Sequence, residues 1–198
     1  MKHRKRRPAL RIDDDSHGTD DDSQPLMVPR SDRALVPTAP ERLRRLRKHL
    51  LESLLALRRM HDPGRNAAPL PPDLAGFAAR VAQTACTLCK GWCCKGGGEH
   101  AYVDERTMAR VRQAMPGVGN WSLLRLYLQR VPQVGYAGSC VFHGEQGCTL
   151  DRSLRSDVCN SYFCGGLGAF VTRGDLAQPV VVMAGEGEKM RASPVLLP

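Results

Sequence analysis

Nine residues, CTLCKGWCC, carry four thiols: Cys86, Cys89, Cys93 and Cys94. Four more, Cys140, Cys148, Cys159 and Cys164, follow later in the chain. Thiols at such spacing can form disulfides, run dithiol redox chemistry or bind metal. Neighbouring Cα atoms are about 3.8 Å apart across a trans peptide, less than the roughly 4.4–6.8 Å of a relaxed disulfide, so Cys93 and Cys94 do not easily bridge to each other. No βαβ pattern surrounds Cys86 and Cys89, which removes the usual setting of a thioredoxin-like C-x-x-C. Metal is the stronger reading. A C-x-x-C pair lets both sulfurs converge on one centre while amides between them point inward, and this suits zinc or iron. Gly91, Gly96 and Gly97, with Gly98, permit left-handed backbone and close approach of amide groups to thiolate sulfur, as expected of a cofactor-binding loop.

Spacing does not choose between zinc and iron. Eight thiols fill two tetrahedral zinc sites, whereas one cubane iron–sulfur cluster takes four and leaves cysteines over. The contiguous Cys93–Cys94 pair can serve two neighbouring centres. Mixed ligation through His100 or His143 is an alternative, although a lone histidine is more often exposed or hydrogen-bonded than a ligand. Glu99, Asp104 and Glu105 read as helix-entry charges. The chain has no G-x-S-x-G, no phosphate loop and no H-E-x-x-H, so no hydrolase or transferase motif is seen, and oxidoreductase chemistry enters only with an iron–sulfur cluster.

These thiols need elements to hold them. T-A-P-E at Thr38 has capping-box spacing, and Leu43, Leu46, Leu50, Leu54 and Leu57 then recur at steps of three and four, with arginines off the stripe. This predicts a basic amphipathic helix over 38–62, stopped by D-P-G, whose segment 41–59 offers a surface for a protein partner or nucleic acid. After a proline-rich linker at 63–72, Leu74, Phe77, Val81 and Ala85 mark a helix that delivers Cys86. A third helix is expected from Asp104 to Met115, and a fourth capped by Asn120 with Trp121, Leu124, Tyr127, Leu128 and Val131 along one face. SCVFHGEQGCTL at 139–150 reads as a hairpin with a cysteine on each arm, and QPVVVMA at 178–184 as a strand. No internal repeat is present.

The 198 residues suit one domain plus tails, with a modest core: 42% are hydrophobic but only 5% aromatic. Residues 1–37 alternate a basic block with an acidic one and read as a disordered charged tail, and 185–198 as a C-terminal tail. No apolar stretch follows the basic start, as a signal peptide requires, and none has the length of a membrane span. The expectation is a cytoplasmic protein with reduced cysteines. The net charge of +9 points towards an anionic partner. Two zinc–tetrathiolate sites, each about −2, would lower it to roughly +5 and weaken that inference.

CTLCKGWCC, then AYVDERTMARVRQAMPG, then SCVFHGEQGCTLDRSLRSDVCNSYFC resembles the bacterial cysteine-cluster proteins described as zinc- or iron-chelating domains, over residues 86–164. The resemblance implies metal chelation by Cys86, Cys89, Cys93, Cys94, Cys140, Cys148 and Cys159, with Cys164 added. Where that family has R-P-x-x-C, this chain has Arg155, Ser156, Asp157, Val158 and Cys159, which questions the rigid turn there. The resulting expectation is a small α-rich α+β, metal-stabilised domain at 73–184, with short helices, a hairpin and cysteine-bearing loops, chelating zinc or iron. The alternatives are an iron–sulfur redox protein or oxidoreductase subunit, and a nucleic-acid or protein-binding adaptor with structural zinc.

Overall fold

The computed structural model describes residues 25–60, 74–173 and 177–198. The charged blocks before residue 25 and the linker at 63–72 lie outside the described residues. The described chain is α+β, with six α-helices, seven short strands and two small sheets.

The first of two hydrophobic cores is a helical layer beside a four-stranded sheet. Helix α1 (Pro40–Arg59) buries Leu46, Leu50, Leu54 and Leu57 against α3 (Glu105–Ala114) and α4 (Asn120–Leu128). Its leucine stripe is the expected one except at Leu43, which is exposed. The helix begins at Pro40 rather than Thr38, and no side chain caps it. Thr38 instead donates its hydroxyl to the Pro132 carbonyl at 2.7 Å, so the capping box does not form. Arg44, Arg45, Arg47, Lys48, Arg58 and Arg59 face solvent. Helix α3 starts as expected, with the Asp104 carboxylate accepting from the Thr107 amide at 2.8 Å. Helix α4 differs. Gly119 occupies its cap position, Asn120 accepts from Arg112, and Trp121 is 71% exposed while Leu123, Leu124 and Tyr127 are buried.

The sheet beside these helices orders β2 (Leu35–Pro37), β3 (Val134–Tyr136), β4 (His143–Gly144) and β5 (Gly147–Cys148), all antiparallel. The last two make the expected hairpin, pairing His143 with Cys148. The second core packs α2 (Gly76–Cys89) and α6 (Gly165–Arg173) on a three-stranded sheet. In that sheet β6 (Val182–Ala184) lies between parallel β1 (Leu26–Val28) and antiparallel β7 (Arg191–Ala192). Phe77 meets Phe170 edge-on at 6.4 Å. Two assignments to the tails are therefore corrected: residues 26–28 and 35–37 are strands, and Arg191–Ala192 is a strand too, with Val180 bridging Leu196. Each is too short to show periodicity, and β1 and β2 find their partners far away in the chain.

Residues 150–160 link the two halves without long regular structure, and side chains from the helical core hold them. Arg110 of α3, only 7% exposed, donates to Asp157 Oδ1 at 2.9 Å, to the Ser153 carbonyl at 2.7 Å and to the Arg155 carbonyl. Tyr127 donates to the Leu154 carbonyl at 2.8 Å, and Asn160 to the Arg152 carbonyl at 3.0 Å. Replacing Arg110 leaves the Ser153 carbonyl and the Asp157 carboxylate without their donor, while the Arg155 carbonyl keeps Asn160 at 3.3 Å. Arg110→Met is expected to cost about 3 kcal/mol in denaturant unfolding. A change below about 1 kcal/mol would show that the clamp contributes little.

Candidate metal centre

Cys86 and Cys89 share the last turn of α2, which corrects the expectation that the helix merely leads up to Cys86. The helix stops because Lys90 and Gly91 turn left-handed, with φ of 51° and 66°. That reversal aims the Trp92 amide back at Cys89 Sγ, at 3.3 Å. The donor thus comes from after the C-x-x-C pair rather than from between its cysteines. Gly91 is doubly constrained, since a Cβ there would collide with the His143 ring.

A 3-10 turn, Trp92–Gly96, then carries the adjacent pair. Its thiols meet: Cys94 donates its S–H to Cys93, which brings Cys93 down to about 6 despite burial and pushes Cys94 well up. The Cys94 carbonyl also accepts from the Cys140 amide at 2.9 Å, and the Gly98 carbonyl from Val141 at 2.8 Å, which pins the hairpin to the glycine-rich loop. At Gly97 the fit is close enough that a Cβ would lie 2.9 Å from Cys140 Cβ and 3.1 Å from its sulfur. Of the three glycines proposed for the cofactor loop, Gly97 lies against Cys140, Gly91 against the His143 ring and Gly96 against the Tyr102 hydroxyl.

Cys159 sits in α5 (Asp157–Ser161), where Ser156 Oγ accepts from its amide at 3.1 Å. Ser156 has φ of −60°, the value a proline would impose. The turn that R-P supplies in the resembled proteins is made here by a serine cap. Cys164 immediately precedes α6 and packs with Cys89 against the second core, while Cys94 and Cys148 pack with Cys140 against the first.

All eight cysteines are free. Burial pushes Cys86 up to about 11, with further upward influence from Cys93, Cys89 and Cys164, opposed by Arg155. Burial likewise raises Cys140 to about 12, reinforced by Cys148 and Cys159. Cys89 and Cys159 rise for the same reason. Cys86 and Cys89 are influenced by Cys164, Cys94 by Cys140 and Cys148, and Cys159 by Cys93. Arg155 faces Cys86, Cys93 and Cys159 together, and Arg42 faces Cys140. Among the described residues, no three His, Cys, Asp or Glu side chains are already arranged as a metal cage.

The histidines are engaged elsewhere. His143 is buried, with Nδ1 2.8 Å from Ser139 Oγ and its ring stacked on Tyr136, and burial keeps it neutral by lowering its pKa. His100 Nδ1 accepts from the Tyr102 amide at 3.0 Å. Asp104 serves as a helix cap, and Glu99 pairs with Arg42 at 3.0 Å. The donor set for a metal is accordingly all sulfur, which fits zinc or iron and not a hard, oxygen-seeking cation. Arg33, beside His143, keeps one guanidinium nitrogen buried with no hydrogen-bond partner. The sequence reading had missed Arg33, Arg42, Arg155 and Ser156. Only Ser156, standing where a proline was expected, left a sequence signal.

No family model, curated protein or solved structure matches this chain. No helix among the described residues is long and apolar enough to cross a membrane.

Gly97→Ala has a permitted backbone, φ −74° and ψ −24°, so its effect is steric alone. It should cost about 1–3 kcal/mol and displace Cys140, read by chemical denaturation of the metal-free chain. An unchanged midpoint would contradict the tight approach. The raised thiols also set an alkaline limit. Groups whose folded pKa exceeds the ordinary 9.0 stabilise fully below that pH and cease to do so as pH rises through their folded values, about 11 for Cys86 and 12 for Cys140. Thermal melts of the metal-free protein should therefore fall steadily above about pH 9. A flat profile there would refute the burial of neutral thiols.

Proposed function

We propose that this protein chelates zinc or iron through cysteine thiolates. The observation that supports this reading is that cysteines of the two sequence groups share cores: Cys89 packs with Cys164 in one, Cys94 with Cys140 and Cys148 in the other, where the Cys140 amide bonds the Cys94 carbonyl at 2.9 Å, and all eight are free. Bound metal would replace the protons that burial now retains on Cys86, Cys89, Cys94, Cys140 and Cys159, and its positive charge would relieve repulsion among the thiolates. The resemblance to zinc- or iron-chelating cysteine-cluster proteins supports the same chemistry. Metal-stabilised folding follows from it, on the order of 10 kcal/mol per structural zinc.

The iron–sulfur reading has one observation in its favour. The Trp92 amide already donates to Cys89 Sγ, the type of hydrogen bond that raises the potential of a cluster. A bound cluster would supply one-electron transfer. The chain's own contribution would be to hold the sulfurs, place Arg155 beside them and leave Cys86, Cys93 and Cys159 at the exposed edge.

Elemental analysis and an absorbance spectrum of anaerobically purified protein test the proposal. Zinc without a visible band, or iron with sulfide and a broad band near roughly 400 nm, would each fit it. Protein that takes up neither metal after reconstitution would overturn it. Zinc titration in buffers of different ionisation enthalpy should also release protons near neutral pH, and affinity should rise with pH, because neutral thiols must ionise to bind. Binding without proton release would show that these thiols are not the ligands.

A further inference from the structure

We propose that the eight thiols form two centres sorted by hydrophobic core and not by order in the sequence. One comprises Cys86, Cys89, Cys93 and Cys164, the other Cys94, Cys140, Cys148 and Cys159, so that the adjacent pair sends one sulfur to each and bound metal staples the two cores together. This rests on the chelation reading and adds the ligand division and a mechanical role.

Packing makes the division. Cys89 is buried in the core of β1, α2, α6 and β6, and Cys164 packs against it. Cys140 is buried in the core of α1, α3 and α4, with Cys94 and Cys148 packed there. Cys86 joins the first set because it stands one helical turn before Cys89. Cys159 joins the second because Arg110 of α3 and Tyr127 of α4 tie its segment to the helical core, through Asp157 and the Leu154 carbonyl. Cys94 packs on the helical core, and its neighbour Cys93 completes the other set of four.

The stapling role follows from how little else joins the halves. The principal packings run within a core: α1 on α3 and α4 in one, α2 and α6 on the β1–β6 sheet in the other. Beside the thiols, the His143 ring of β4, in the sheet next to the helical core, covers Gly91 at the end of α2. Two centres at this seam would fix the relative position of the cores through bonds far stronger than this contact.

The test uses the full chain loaded anaerobically with zinc alone and, separately, with iron and sulfide. Cys86→Ser and Cys159→Ser are the first variants, since both residues are exposed and little packing is lost. Each should retain half of the wild-type metal, and the double variant none. Hydrogen exchange should quicken in α2 and α6 for Cys86→Ser and around β4 and β5 for Cys159→Ser. Cys93→Ser and Cys94→Ser give a second, independent pair, and should reproduce the Cys86 and Cys159 patterns respectively. Complete metal loss in both single variants, or identical exchange patterns, would overturn the division while leaving chelation intact. A wild-type chain that binds neither metal would overturn chelation and the division together.

Discussion

Thiolates crowded together repel, and burial makes each negative charge dearer still. At the Cys93–Cys94 turn the chain meets this constraint by sharing a proton, with Cys94 donating to Cys93. Around it, Cys86 and Cys140 hold their protons more tightly than exposed thiols do, and Arg155 and Arg42 supply partial compensation. Protons held on Cys86 and Cys140 spare the metal-free arrangement that repulsion, and under the proposed chelation a bound cation would take over their role.

The supporting scaffold is built from small parts. With few aromatic residues, each core relies on leucine, valine and alanine, supplemented by the Phe77–Phe170 and Tyr127–Phe142 pairs. Small cores bury a smaller fraction of their surface and leave a narrower margin over chain entropy. Polar clamps therefore matter more than usual. Arg110 satisfies carbonyls that no helix or sheet reaches, and Arg42 ties α1 to both Glu99 and the Ser139 carbonyl on either side of the cysteine loop.

Much of this was legible in the sequence where a local pattern determines the outcome. The leucines of α1, the Asp104 cap of α3 and the hairpin around Gly144 and Gly147 all rest on interactions within a few residues. Thr38 misled because its hydroxyl had a distant competitor in the Pro132 carbonyl, and Trp121 because α4 turns a different face inward. The three-residue strands carry no periodic signal at all. For the candidate site, cysteine spacing proposes the eight sulfurs but cannot say which share a core, because Cys89 and Cys164 come together from far apart in the chain while Cys94 packs with Cys140 and Cys148. Arg110, Arg155 and Arg42 look in sequence like any of the chain's many surface arginines.

The parallel pairing of β1 with β6, Leu26 opposite Val182, has a consequence for how the molecule comes to exist. The helical core draws on residues 46–154, so its elements can assemble in order as the chain leaves the ribosome. Strand β1 is made before any of them, yet its neighbour emerges after all of them, and closing so long a loop is slow. Until then Leu26 and Val28 have no sheet to enter, and α2 lacks the floor beneath Phe77 and Val81. Among the described elements, the first to be synthesised is among the last to find its place, and Cys89 waits with it.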